Sequence, residues 1–443
     1  MARADPGQAS RLRDRGKDGW SYDLRRAMTK PQMRQVVITG IGVVSPLGIG
    51  WKDHWGSWLT GSARFSRVTR FDPTGYPCQI AGQVDDNSYQ ELIDPRKART
   101  ISHASKLALV AAELALRDAR LPAGHYAPHD FGVSVGTALG GWADGERQIG
   151  IMLERGARRA NPFLVNGSGP HGPGLEVASA FGARGQHLTV SCGCPSSLLA
   201  IGQARSLISS GSLDICLAGG TESPVTPSMF AALSRTNELS TETDDLDSAS
   251  RPFDRRHNGM VLSEGSCFLV LESMEGAQER GATVYARIDG CISSCDGQGM
   301  YNVDPSGEAG ARAIHRLIQQ AALSVDAIDY VCAHANSTPV FDRKETVVLG
   351  AAFGEFAARI AVSSIKGVQG HSSGASGAFQ IAASALSIQH KLVPPTRNLE
   401  EPAADCLLRH VSAEPYGLDI RNALVTSYGY GGLNAFLLLG QPT

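Results

Sequence analysis

Short apolar runs, each closed by glycine or a polar turn, recur along the chain from Val36 onward. VVITGIGVVSPLG opens the series and ends at a proline turn. FGVSVGTA, HLTVSCG, DICLAGG, CFLVLES, YARIDGCI, YVCAHA, IAVSSIKG and NALVTSYGYGG follow. Their apolar residues are continuous rather than alternating, which predicts strands covered on both faces. Stretches with helical spacing separate several of them. The clearest runs from Ser102 to Leu121: Ser102 can cap it, Leu107, Val110, Ala111 and Leu114 share one stripe, and Pro122 stops it. Strands and helices in alternation predict an α/β architecture.

The order of these runs contains an echo. VSCGCPSSLLAIGQARSLISSG reads as strand, tight turn and helix, and VSSIKGVQGHSSGASGAFQIAASALSIQH repeats that plan further on. FGVSVGTALGG likewise parallels YVCAHANSTP. Two fused copies of one α/β half would produce this, with a site where the halves meet. The corresponding division is a charged extension over residues 1–34, a first half over 35–283 and a second over 284–443.

Composition narrows the functional classes. With 443 residues, 42% hydrophobic and 19% charged, the chain can bury most of its apolar surface. A formal net charge of −2 argues against a nucleic-acid platform, although a local basic patch could still receive an acidic partner. No run of about 20 apolar residues is present to span a bilayer. The charged start, with no apolar stretch, is not a secretory signal; it reads as a poorly ordered extension, and Met28 or Met33 are alternative starts. The nine cysteines include a C-x-C (Cys192, Cys194) and a C-x3-C (Cys291, Cys295) but no zinc pattern. Such usage predicts a reducing cytoplasm with most thiols buried as small apolar groups.

Among these thiols Cys194 stands apart. Pro195-Ser196-Ser197 after it reads as a helix start, so Cys194 falls where unpaired N–H groups and the positive dipole end stabilise a thiolate. Cys192 lies two residues back, inside the strand, and reads as packing. His334, in CAHANSTPVFD, and His371, in KGVQGHSSGASG, each sit at a strand end followed by a turn. A histidine taken singly is more often a surface or satisfied core residue. Two histidines at turns of the echoed plan, with a cysteine at a third, are harder to dismiss. Lys366, Glu345 and Asp342 alone read as solvated charges or surface ion pairs. The closing YGYGG is either a flexible turn or a place where backbone N–H groups face a ligand.

Together, TGIGVVSPLG, VSCGCPSSLLAIG, GGTESPVTP, SRPFDRRHNGMVLSEG, AHANSTPVFDRKE, SSIKGVQGHSSGASG and SYGYGGLNA resemble the β-ketoacyl-ACP synthase family from Val36 to Gly440. GGTESPVTP, ASRPFD, DRKET and VSSIKGVQGH look nearest to the ketosynthase α subunits of type II polyketide synthases. The resemblance implies a thiolase-like five-layer α-β-α-β-α fold with two pseudo-duplicated halves. It implies decarboxylative Claisen condensation of an acyl chain, held as a thioester on Cys194, with malonyl-ACP in specialised polyketide or fatty-acid biosynthesis. His334 and His371 would donate to the malonyl thioester carbonyl, and the backbone N–H groups of Cys194 and Tyr430 would form the oxyanion hole. Lys366 and Glu345 would be a charged pair behind the histidines. Asn336 and Thr338 would meet the pantetheine arm, Leu139 would limit the acyl pocket, and Tyr428 would border the substrate. The implied partners are an acyl carrier protein and either a second copy or a chain-length-factor-like subunit, with no metal, organic cofactor, nucleic acid or membrane.

The chain departs from the family pattern at His334-Ala335-Asn336, where His-Gly-Thr is usual, at Tyr428-Gly429-Tyr430-Gly431-Gly432, where phenylalanines are usual, and at Cys192 and Pro195. Two other readings follow: acyl transfer or cyclisation on the same thioester without malonyl extension, and a non-catalytic chain-length-factor-like subunit. Retention of Cys194, His334 and His371 speaks against the last.

Overall fold

The computed structural model describes residues 33–121 and 124–442. The extension expected over residues 1–34 therefore lies, up to residue 32, outside the described residues, as does Pro122. Among the described residues the main sheet has eleven strands, of which the short Gly48–Ile49 pairs only with the first; the other ten are β1 (Val36–Ser45), β2 (Phe131–Gly136), β3 (His187–Val190), β4 (Ile215–Glu222), β5 (Gly265–Ser273), β6 (Ala286–Cys295), β7 (Tyr330–Cys332), β8 (Ala361–Ser363), β9 (Asn422–Gly429) and β10 (Leu433–Gly440). Each apolar run named above falls on one of the first nine. The last, β10, was not among them, because it follows directly on the YGYGG turn with which the ninth run ends.

Strand order repeats the sequence echo as topology. The sheet runs β3-β2-β4-β5-β1 and continues β6-β10-β9-β7-β8. Numbered within its own half, each reads third, second, fourth, fifth, first. In both halves the second strand pairs in parallel with the third and fourth, and the remaining pairs are antiparallel. The halves meet through two residue pairs between β1 and β6.

Among the helices that build the layers are α1 (His103–Asp118), α2 (Ser196–Ser209), α3 (Glu308–Gln320), α4 (Pro339–Phe353) and α5 (Ser376–His390). Helix α2 touches β2 and β4 of the first half and β6 and β10 of the second, and α5 touches β4, β5, β7 and β9. These two therefore lie between the halves, with α1 against β1 and β5 on one outside and α3 against β6 and β10 on the other. That is the five-layer stack the family resemblance implied. Ser102 caps α1 through Ser105 N–H, as expected, but the helix ends at Asp118 and Arg120 takes a left-handed φ of 48°.

Helix α5 explains the close packing of the centre. Every residue from Ser376 to Ile388 is buried, and most are small, so no face is reserved for water. A Cβ added at Gly377 would come within 2.8 Å of Leu198 Cβ on α2, so a side chain there would push the central helices apart. Phe379, Ile381, Leu386 and Ile388 join Leu198, Ile201 and Ile208 of α2 in one cluster. Each such fully buried side chain contributes about 1.5–3 kcal/mol. This cluster fixes the two central helices, and with them the turns at their N-terminal ends.

Candidate active site

Strand β3 ends at Val190, the chain bends at Cys192 and Gly193, and α2 begins at Ser196 with Pro195 as its N-cap. Gly193 has φ 70°, a left-handed conformation that a side chain would oppose. Ser196 Oγ donates to Gly193 O (2.5 Å) and accepts from Cys192 N–H (2.9 Å), which ties the elbow shut. Cys194 is held just ahead of the helix, 8% exposed.

His371 comes from the matching turn of the second half, between β8 and α5. Its backbone N–H donates to Val261 O and its carbonyl accepts from Ser263 N–H, so the main chain is fixed. Its Nε2 lies 3.1 Å from Cys194 Sγ and its Nδ1 lies 3.0 Å from Ser376 Oγ. His334 follows β7. Its ring stands 5.4 Å from the His371 ring and nearly perpendicular to it, with Phe341 and Tyr428 edge-on at 5.8 and 5.9 Å. Both His334 ring nitrogens are buried without a protein partner. Among the described residues, Cys194, His334 and His371 are the one His/Cys/Asp/Glu trio able to hold a metal ion, each offering an atom within 4.8 Å of the others.

The backbone of His334 is clamped. Glu345 on α4 accepts from His334 N–H (3.1 Å) and Ala335 N–H (2.7 Å), and Thr426 Oγ1 also accepts from His334 N–H (3.0 Å). Lys366 Nζ donates to His334 O and to Gln380 Oε1 (3.2 Å), and Gln380 Nε2 donates to Cys332, Ala333 and Thr426 carbonyls. This corrects the charged pair expected behind the histidines. Among the described residues no Lys366–Glu345 ion pair is within 4.0 Å; the two groups grip opposite ends of the His334 peptide units instead. Burial raises the Glu345 carboxyl to about 7, against its hydrogen bonds and Lys366, and lowers the Lys366 ammonium to about 8. Asp342, read alone as a surface charge, is fully buried and accepts from Asn336 N–H, Phe253 N–H and the His257 ring.

A second correction concerns the sulfur. The helix start was expected to stabilise a Cys194 thiolate. Burial instead pushes the thiol from 9.0 up to about 12, with Lys366 pulling it down and Glu222 pushing it further up. That rise is worth about 4 kcal/mol. A helix N-terminus supplies at most about 2 kcal/mol in a partly buried site, so burial wins. Burial likewise pushes the imidazole of its hydrogen-bond partner, His371, well below its ordinary 6.5.

The other expected residues gather at the same strand ends. Asn336 and Thr338 are 2% exposed, and Thr338 Oγ1 donates to Asn336 Oδ1 (2.7 Å). Leu139 follows β2, with its N–H donating to Glu222. Tyr428 is fully buried on β9, and its hydroxyl has no protein partner. Tyr430 is 38% exposed and packs edge-on against Phe341 at 5.5 Å. A Cβ added at Gly429 would lie 3.0 Å from Pro195 Cδ and 3.7 Å from Cys194 N, so the YGYGG turn rests on the nucleophile's amide. Sequence reasoning missed Gln380, Ser376, Thr426 and Glu222. Only Glu222 carried a signal, as a lone acid ending the buried run DICLAGGTE. A surface cavity of about 640 Å³, lined by Arg70, His103, Arg147 and Glu264, lies elsewhere. No described helix is long and apolar enough to cross a membrane.

Two family models match in succession: "Beta-ketoacyl synthase, N-terminal domain" over residues 33–277 and "Beta-ketoacyl synthase, C-terminal domain" over residues 285–400. The chain is 38% identical to a putative polyketide beta-ketoacyl synthase 1 of Streptomyces halstedii, over 92% of this chain and 98% of that one. It is 36% identical to the tetracenomycin polyketide synthase ketoacyl synthase alpha subunit of Streptomyces glaucescens, over 94% and 99%. It is 33% identical to a 3-oxoacyl-[acyl-carrier-protein] synthase 2 of Synechocystis, over 93% and 99%. Among solved structures, a type II polyketide ketosynthase in complex with its acyl-carrier protein and bound to the hexaketide superposes with a TM-score of 0.85 at 30% identity, over 93% of this chain and all of that one. The ishigamide ketosynthase/chain length factor superposes with 0.85 at 29% identity, over the same shares of the two chains.

Proposed function

The chain belongs to the β-ketoacyl synthase family, and from that premise we propose that Cys194 is its acyl-carrying nucleophile, with His334 and His371 as the groups that drive decarboxylation. The activity is that of a β-ketoacyl-ACP synthase, an acyltransferase that forms carbon–carbon bonds. Neither acyl transfer or cyclisation without extension nor a non-catalytic subunit is favoured.

One observation carries the assignment of roles: a thiol from the first half and two imidazoles from the second meet within 4.8 Å. Acylation begins as the thiol proton passes to His371 Nε2 and the sulfur attacks the thioester carbonyl of the acyl-loaded carrier protein. The tetrahedral oxyanion is received by the N–H groups of Cys194 and Tyr430, where one donor is worth about 3 kcal/mol. The departing pantetheine thiolate takes the proton, leaving the acyl group on Cys194. Ser376 Oγ can donate or accept, so His371 can then carry its proton on Nε2. Malonyl-carrier protein enters next. His334 and His371 donate to its thioester oxygen, and the enolate forms as carbon dioxide leaves. The enolate carbon attacks the acyl-cysteine carbonyl, the carbon–sulfur bond breaks, and the departing Cys194 sulfur takes the Nε2 proton of His371, which solvent replaces.

Lys366 and Glu345 act in this reading by holding the His334 backbone, and Asn336 and Thr338 line the pantetheine path. Leu139 and Tyr428 border the acyl and malonyl groups. The donor is an acyl carrier protein, and the assembly is a pair, either two copies or one copy with a chain-length-factor-like subunit. The halves divide near residues 283 and 284, between β5 and β6. A reducing cytoplasm fits nine cysteines that are all free. Intact-protein mass spectrometry with acyl-carrier protein, together with carbon dioxide release from malonyl-carrier protein, tests the reading. An acyl adduct on Cys194 and release of carbon dioxide are expected; their joint absence would sink it.

A further inference from the structure

Glu222, the last residue of β4, is fully buried and none of the ion pairs among the described residues includes it. Its two oxygens take four donors. Oε1 accepts from Thr137 Oγ1 (2.9 Å) and Leu139 N–H (3.0 Å), and Oε2 accepts from Ala138 N–H (2.7 Å) and Gly374 N–H (3.0 Å). Three of these donors belong to the turn after β2. The fourth comes from the other half, three residues beyond His371. At Gly374 an added Cβ would meet Ala138 N at 2.3 Å and Glu222 Oε2 at 2.7 Å, so the two turns touch with no room for a side chain. A buried charge with no counter-charge is retained only when hydrogen bonds fill its lone pairs. Four donors do so here, and none of the capacity is left for substrate.

We propose that Glu222 is a positioning residue for acyl-chain selection: its carboxylate locks the 137–139 turn, and so Leu139, against the Gly374 turn behind His371. The inference rests on the reading that Cys194 takes the acyl chain and Leu139 borders it. The lock sets how much space the chain finds beyond the sulfur. Burial raises the Glu222 carboxyl to about 7, which its four hydrogen bonds oppose.

The test loads the full-length chain with a short, a medium and a long straight-chain acyl group from carrier protein and follows the Cys194 adduct by mass spectrometry. Glu222→Gln keeps the size but turns an NH2 group toward N–H donors, so the 137–139 turn loses part of its anchor. The ratio of long- to short-chain acylation rates is expected to shift by about tenfold, the scale on which a pocket senses a methylene or more. Thr137→Val removes one donor, leaves the charge, and is expected to shift the same ratio by roughly threefold; it keeps the test alive if the first variant does not fold. A role in stability alone lowers the active fraction, which slows every donor by one common factor and leaves the ratio unchanged. That result in the folded variants overturns the proposal. A wild-type chain that accepts no acyl group overturns the nucleophile assignment, and this inference with it, before any variant is compared.

Discussion

The turn after β2 in the first half and the turn after β7 in the second are pinned alike but carry different residues. Glu222 holds Ala138 and Leu139 by their N–H groups; Glu345 holds His334 and Ala335 the same way. Each carboxylate is buried and each is raised to about 7. The side chains delivered are an apolar leucine in one half and an imidazole in the other. The turn after the third strand differs as well, with Cys194 in the first half and His371 in the second. The two clamps are not copies of one residue: Glu222 ends the fourth strand of its half, whereas Glu345 sits on the helix after the second strand of the other, and chemistry is assigned by residue type at the clamped positions. The second half adds a cation, Lys366, on the His334 carbonyl, whereas in the first half it is the Ser191 hydroxyl that donates to the Ala138 carbonyl. A carboxylate and a hydroxyl suffice to fix a pocket wall, whereas a ring that must donate to a developing enolate is held between a carboxyl and an amine.

The comparison can be broken in order of expected effect. Cys194→Ala should lower condensation by about 10⁴-fold or more, as removal of a nucleophile does, with no acyl adduct in the mass spectrum and the fold retained. Condensation that survives would show that the first half does not carry the nucleophile. The two histidines should then separate. His334 is not the sulfur's partner, so His334→Ala should still accept an acyl group while carbon dioxide release falls by about 10²–10³-fold. His371→Ala should slow both steps, because its Nε2 is the base at 3.1 Å. Equal losses of acylation in both variants would erase the distinction.

The buried carboxyls predict a stability profile. Glu222 and Glu345 hold their protons more tightly in the folded chain (about 7) than in the unfolded chain (4.5). Their contribution is thus fully present below pH 4.5 and is lost as pH rises to 7, by up to roughly 3 kcal/mol each. Lys366 has the opposite sense. Lowered from 10.5 to about 8, it adds stability as pH climbs between those values and loses it as pH falls through 8. Denaturant unfolding across pH should show both slopes, and Glu222→Gln should flatten only the acidic one. An unchanged profile in that variant would show that the first-half carboxylate is already ionised throughout. The smallest effect belongs to Tyr430. Its proposed contribution is a backbone N–H, so Tyr430→Phe should change the condensation rate by less than roughly threefold, measured with an unsubstituted acyl donor. A larger loss would assign the hydroxyl a part in the reaction.

Much of this was legible along the chain. Nine strands, the N-cap of α1 and the echo between halves follow from local patterns, and the positions of Cys194, His334 and His371 at strand ends follow with them. The ionisation of Cys194 was misread because the helix start is local and visible, whereas the burial that outweighs it comes from residues far away in sequence. Lys366 and Glu345 were misread as a pair for a related reason. Their charges are written in the chain, but their partners, the His334 N–H and C=O, become available only once β7 ends in that turn.

What the sequence by itself determined is the alternation of elements and the residue types at their ends, since φ/ψ preference, apolar period and capping act over a few neighbours. What only the tertiary structure decided is which ends meet. Cys194 and His371 are 177 residues apart and touch because the small, fully buried faces of α2 and α5 bring two copies of one sheet plan together around them. The same burial shifts Cys194, His334, Glu345, Lys366 and His371 toward their neutral forms, because the cost of a charge depends on the water removed from around it and on the dipoles left in its place.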